Sequence, residues 1–200
     1  MADHETETRT RWDKFYKATL DRPAREFLIN NIKRFQAPGA AIDLGCGAGG
    51  ASLYLLGQGW QVLAVDGQEA AIQTLLEKVP AELAPRLNTL VLPFEELSIP
   101  SADLIWAGRS LPFCRPDEFD RLWGKIGAAL RRGGRFMGDF LGPHHAWANR
   151  SEMTFLSKEQ VVSLCLDLEL EYMVEEEGEA QTVLDGMQHW HQFTVCARKP

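Results

Sequence analysis

The stretch Ala40-Ala41-Ile42-Asp43-Leu44-Gly45-Cys46-Gly47-Ala48-Gly49-Gly50 decides the fold of this chain. An apolar run ends in glycines at alternate positions, and the apolar Leu53, Leu55 and Leu56 follow. That pattern reads as a buried strand, a tight turn and the start of a helix. Glycines serve such a turn in two ways. They reach backbone angles closed to other residues, and they let a ligand approach the main chain with no Cβ in between. The helix then points its free N–H groups at whatever lies over the turn, so a nucleotide-like ligand fits.

Outward from this loop, the pattern alternates between strand and helix. Residues 60–66 read as a second buried strand ending in Asp66, which lies 21 residues beyond Gly45. A carboxylate at about 20 residues from the first glycine is placed to accept the hydroxyls of a ribose. The alternative, weaker because strand, acid and glycine loop all agree on a ribose, is a cap for the next helix, residues 68–79, whose inner face is Ala71, Ile72, Leu75, Leu76 and Val79. Further strands read over 88–92, 102–108 and 134–140. Pro116-Asp117-Glu118 opens a helix with Phe119, Leu122, Trp123, Ile126 and Leu130 inward, with Arg131-Arg132 suiting its negative end and Gly133-Gly134 stopping it. Ser157-Lys158-Glu159-Gln160 is a capping box, with Leu156 and Val161 as its hydrophobic staple. The period then changes. Residues 168–174 alternate, a loop with Glu175-Glu176-Glu177-Gly178 follows, and a last strand covers 188–198, which together make an antiparallel pair.

The 200 residues suit a single domain, residues 11–200, behind a flexible tail over 1–10. Residues 11–35 read as helical, broken near Arg22-Pro23. The net charge of -7 argues against a nucleic-acid binder, which carries a basic stripe. No apolar run reaches the roughly 20 residues of a membrane span, and the polar N-terminus has no secretory h-region. The four cysteines are scattered with no C-x-x-C, which fits reduced thiols in a cytoplasmic protein. No metal site is expected, and the acidic run reads as solvated.

Gly45 to Gly50 satisfies G-x-G-x-x-G, the dinucleotide fingerprint. Counted from Asp43 it also satisfies D-x-G-x-G-x-G, which resembles motif I of the class I S-adenosylmethionine (SAM)-dependent methyltransferases. An acid near the end of a buried strand needs a cationic or hydrogen-bonding partner, and the resemblance implies that it helps hold the cationic end of SAM. The antiparallel finish also resembles the sheet of that family. The resemblance implies an α/β, Rossmann-like three-layer sandwich, with a mostly parallel seven-stranded sheet and a C-terminal hairpin. More narrowly, the chain resembles small bacterial methyltransferases of the tellurite-resistance-like type, through its size, Met153-Thr154-Phe155, the acidic run and His189-Trp190-His191.

By that resemblance the cofactor is SAM, with S-adenosylhomocysteine (SAH) as product. Its site is Asp43, Gly45, Cys46, Gly47, Gly49, Asp66, Gly67, Phe94, Glu95 and Ala107, with Trp12 and Tyr16 as a lid or as ordinary packing aromatics. The family's usual Asp or Asn after the third strand is missing, and Phe94 and Glu95 stand nearest its place. The acceptor is a small molecule, such as a thiol or a metalloid anion, which would need no general base. For an oxygen or nitrogen acceptor the candidates are Asp139, His144, His145 and Tyr16, then His189 and His191. Arg109 either orients an anion or makes a structural ion pair. Two alternatives remain open: a NAD(P)-dependent oxidoreductase, and a non-catalytic SAM-binding protein.

Overall fold

Seven strands build one sheet in this computed structural model: β1 (Ala40–Leu44), β2 (Gln61–Asp66), β3 (Leu87–Val91), β4 (Ala102–Ala107), β5 (Leu130–Leu141), β6 (Glu169–Gln181) and β7 (Met187–Arg198). Six α-helices accompany them: α1 (Ala2–Ala18), α2 (Glu26–Asn31), α3 (Gly50–Gly57), α4 (Glu69–Lys78), α5 (Pro116–Ala129) and α6 (Lys158–Leu164). The structure describes residues 2–200, with side chains from residue 10 onward; Met1 lies outside the described residues.

The strand order is β3-β2-β1-β4-β5-β7-β6, parallel through β5 and antiparallel where β7 inserts between β5 and β6. Central strands covered on both faces carry apolar residues nearly throughout. One face of the sheet packs Ile42, Leu44, Ile105 and Phe136 against Phe119, Leu122 and Ile126 of α5 and Val161 of α6. The other packs Ala41, Val62, Leu104 and Met137 against Leu28 of α2, Leu55 and Leu56 of α3, and Ile72 and Leu75 of α4. The result is the expected three-layer sandwich. Its order reverses between β1 and β4, so the loops leaving the C-terminal ends of those strands border the crevice where such sheets bind ligands.

Helix α1 runs without a break over Ala2–Ala18. Three expectations need correction. Arg131 and Arg132 do not end α5: the chain turns extended at Leu130, which pairs with Ala102, and Arg131 meets Asp103 at 2.7 Å. Residues 175–178 are not a loop but the middle of β6. Charged residues suit them there, because β6 is an edge strand and charge discourages pairing with another chain. Leu76, expected on the inner face of its helix, is 46% exposed. The capping box forms as expected, with Ser157 and Gln160 exchanging side-chain-to-backbone bonds.

Candidate active site

The glycine loop is tied down from below. Gly45 N–H and Cys46 N–H both donate to Val65 O of β2, at 2.8 and 3.0 Å. Gly45 has φ 72°, and a Cβ there would run into Ser110, whose hydroxyl donates to Leu44 O. Gly49 caps α3 with φ 86°, and a Cβ there would collide with Leu75 at 2.5 Å. Both conformation and space therefore demand glycine at these positions. Cys46 is buried, and burial with the nearby Asp43 and Asp66 pushes its thiol well up, which makes it a poor nucleophile.

Asp43, the penultimate residue of β1, is almost out of reach of solvent, 1% exposed, and Ser52 of α3 donates to it at 2.6 Å. Burial lifts its carboxyl from 3.8 to about 7, opposed by the Ser52 bond and assisted by the charge of Asp66. Asp66 ends β2 and accepts from Gly47 N–H at 3.0 Å, Gln68 N–H at 2.9 Å and the Tyr16 hydroxyl at 3.2 Å. Burial raises its pKa as well, against these bonds. Two desolvated carboxylates under one loop favour a cation above it.

Tyr16 roofs this site. Its ring lies 3.8 Å from where a Gly47 Cβ would stand, and Trp12 stacks on it with centroids 5.9 Å apart. Burial and the Asp66 carboxylate raise the Tyr16 pKa far above the usual phenol range. Phe94 reaches the glycine loop from the other side, 3.6 Å from a Gly45 Cβ position. Gly67 follows Asp66 and faces the Pro93 backbone. Glu95 accepts through its main-chain carbonyl from Arg121 and Lys125 of α5, each at 3.2 Å. Ala107 is buried at the end of β4. The fold thus joins Tyr16, Gly47 and Asp66 by hydrogen bonds and sets Trp12, Phe94 and Asp43 around them.

A second group lies beyond β4. Arg109 has φ 59°, a left-handed conformation that costs a non-glycine residue about 1 kcal/mol or more. Its N–H donates to Asp139 at 3.0 Å, and its guanidinium lies 5.2 Å over the Trp190 ring. Desolvation and the neighbouring Arg25 lower its pKa. Asp139 is fully buried and also accepts from Thr194 at 2.8 Å and from Arg25. With three donors on two oxygens, this carboxylate holds its neighbours in place.

His144 and His145 part company. His145 is 2% exposed, its Nδ1 accepts from Trp147 N–H at 3.0 Å, and burial with the nearby His189 lowers its pKa to about 4. Its Nε2 has no hydrogen-bond partner. Trp190 packs against the ring at 4.6 Å. His144 is exposed, stacks on His191 at 4.9 Å and meets Glu177 at 3.1 Å. His189 also reaches Glu177 at 3.1 Å, and His191 reaches Glu175 at 3.2 Å. Sequence reasoning missed Arg25, Ser52, Thr194 and Trp190, whose roles depend on strand neighbours that no local pattern announces. The hairpin also gathers imidazoles and carboxylates.

Residues 41–134 match the methyltransferase domain family. The fold is that of TehB from Haemophilus influenzae, with TM-score 0.76 and 20% identity over 88% of this chain. The chain spans 62% of the length of that TehB chain. The N-methyltransferase NodS from Bradyrhizobium japonicum WM9, in complex with SAH, aligns with TM-score 0.68 and 16% identity over 90% of each chain. A SAM-dependent methyltransferase from Mesorhizobium loti aligns with TM-score 0.67 and 15% identity, over 90% of this chain and all of that one. No curated protein matches the sequence. The chain therefore matches the methyltransferase domain over residues 41–134 and shares the fold of these methyltransferases over most of its length.

Proposed function

We propose, from a methyltransferase domain at residues 41–134 on a class I fold, that this chain transfers the methyl group of SAM to a small nucleophilic acceptor. The observation that carries the reading is Asp43, a second buried carboxylate beside Asp66 under the glycine loop. A pyrophosphate would be repelled there, whereas a sulfonium and its ammonium group would be attracted. That argues for SAM over NAD.

The residues fit the cofactor. Asp66 accepts from Gly47, Gln68 and Tyr16, the longest bond being that of Tyr16. A ribose hydroxyl would take the place of Tyr16 there. Gly47 leaves room for it, and Phe94 lies at hand for the adenine. Bound SAM supplies a methyl group activated by positive sulfur, which an acceptor takes in line to leave SAH. The protein contributes alignment and exclusion of water. Tyr16 and Trp12 close over the loop, and Asp139 fixes the Arg109 backbone and the Arg25 guanidinium at the acceptor side.

Arg25 and Arg109 favour an anionic acceptor, such as a thiolate or a metalloid oxyanion, and a soft anion requires no general base. His145 is neutral at pH 7 and serves as a wall of the acceptor side with Trp147 and Trp190. Four free, buried cysteines suit work in the reducing cytoplasm. No helix among the described residues is long and apolar enough to cross a membrane.

Calorimetry with SAM, SAH and NADH tests the reading. We expect micromolar binding of SAM and SAH and none of NADH. Tight NADH binding without SAM would install an oxidoreductase instead. SAM binding with no transfer to thiols, metalloid anions, phenols or amines would leave a non-catalytic binding protein.

A further inference from the structure

We propose that His144, Glu177 and His191 bind a divalent late first-row transition-metal cation, zinc above others, which fastens the loop of residues 142–147 to the β6–β7 hairpin. Each offers one ligand atom, and these atoms all lie within 4.8 Å of one another. His144 Nδ1 stands 3.1 Å from Glu177 Oε1, and His191 Nε2 stands 4.0 Å from Glu177 Oε2. Bonds of about 2.0–2.1 Å in tetrahedral geometry put neighbouring ligand atoms roughly 3.3 Å apart. A small contraction therefore closes the site.

Three separated segments supply these groups. Glu177 faces His191 across the β6–β7 ladder, and His144 arrives from the loop after β5. His191 is pinned: it is 2% exposed, between the rings of His144 at 4.9 Å and Phe193 at 5.0 Å. Gly142 leaves the space its imidazole fills, since a Cβ there would overlap the ring. Two further donors stand by for a fourth ligand: Glu175 Oε1 lies 3.2 Å from His191 Nε2, and His189 Nε2 lies 3.1 Å from Glu177 Oε1.

The donor set chooses the ion. Calcium and magnesium take all-oxygen shells, whereas paired imidazoles with a carboxylate suit zinc, nickel or copper. Charge agrees, because Glu175, Glu177 and Glu179 lie at alternate positions of β6, Lys158 pairs with Glu175 at 3.0 Å, and Glu177 and Glu179 meet His189. One cost limits affinity. His144 N–H donates to His191 Nδ1 at 3.2 Å. With metal on Nε2 the ring proton sits on Nδ1, and that bond is given up.

The inference does not depend on methyl transfer. The full chain, stripped with a chelator, is titrated with zinc by calorimetry and with cobalt(II) by visible absorption. One equivalent should bind, raise Tm and give the intense cobalt bands of a four-coordinate site. His144→Ala and Glu177→Gln alter exposed side chains, so circular dichroism of the chelated variants should match the parent chain. Each should weaken zinc binding by roughly tenfold or more. Absence of saturable binding, or binding that survives both substitutions undiminished, overturns the proposal and leaves the cluster as plain ion pairs.

Discussion

Burial holds the Asp43 carboxyl near 7 in the folded chain, against 3.8 for the free group. Between those values the folded state keeps a proton that the unfolded state releases. The contribution of Asp43 to stability is thus present below about pH 4 and is lost as pH rises through 7. His145 acts in the other direction. Its pKa falls from 6.5 to about 4, so its contribution is present above 6.5 and is lost as pH drops through 4. Asp43→Asn separates the two. In urea unfolding without cofactor, its stability relative to the parent should climb by about 4 kcal/mol from pH 4 to 7 and then level off. The same variant should lose more affinity for cationic SAM than for uncharged-sulfur SAH. Asp66→Asn should weaken both alike, by about 1.5–3 kcal/mol, because it removes a charged acceptor of ribose hydroxyls. Equal losses for SAM and SAH in Asp43→Asn would refute its role toward the cation.

Among the elements, α1 has the most to do in the proposed cofactor entry. Tyr16 bonds Asp66, the proposed ribose acceptor, and Trp12 stacks on Tyr16 while meeting Phe113 edge-on at 4.8 Å. On that reading the C-terminal half of α1 would shift as the site fills. Tyr16→Phe removes the competing bond. It should cost the free protein about 1 kcal/mol and quicken SAH association, which Trp12 fluorescence can follow in stopped flow. Slower association would show that Tyr16 guides the cofactor in. This roof was only half legible: the shared face of Trp12 and Tyr16 gave the helix, but only the fold brings Asp66 beneath it. The glycine loop and the two acid-ended strands were legible because each is a local pattern with one physical solution. Leu130 to Arg132 misled because leucine and arginine favour helices, while pairing with Ala102 decides the matter from elsewhere in the chain. The glutamates of β6 misled for a similar reason, since an exposed edge strand and a solvated loop use the same residues.

At the scale of the whole molecule, Asp139 ties the ends of the chain to its middle. It accepts from Arg25 ahead of α2, from the Arg109 backbone after β4 and from Thr194 in the inserted strand β7. The antiparallel ending, readable as a hairpin from its alternation, therefore has a consequence that alternation does not carry: through Thr194 it braces Asp139, on the proposed acceptor side. Thr194→Val should cost about 1–2 kcal/mol, since it removes one donor from a buried carboxylate. Arg25→Ala should cost more, about 3 kcal/mol, because it leaves that charge without its cation. The two bonds share one acceptor, so the effects should not add: with Arg25 gone, Thr194 becomes a larger fraction of what stabilises the charge, and the double variant should lose more than the sum. Asp139→Asn removes the charge and should bring the cycle back toward additivity. Denaturant unfolding of the single, double and triple variants measures these terms. A cycle that is additive with Asp139 intact would mean that the terminal strand and the acceptor side are independent.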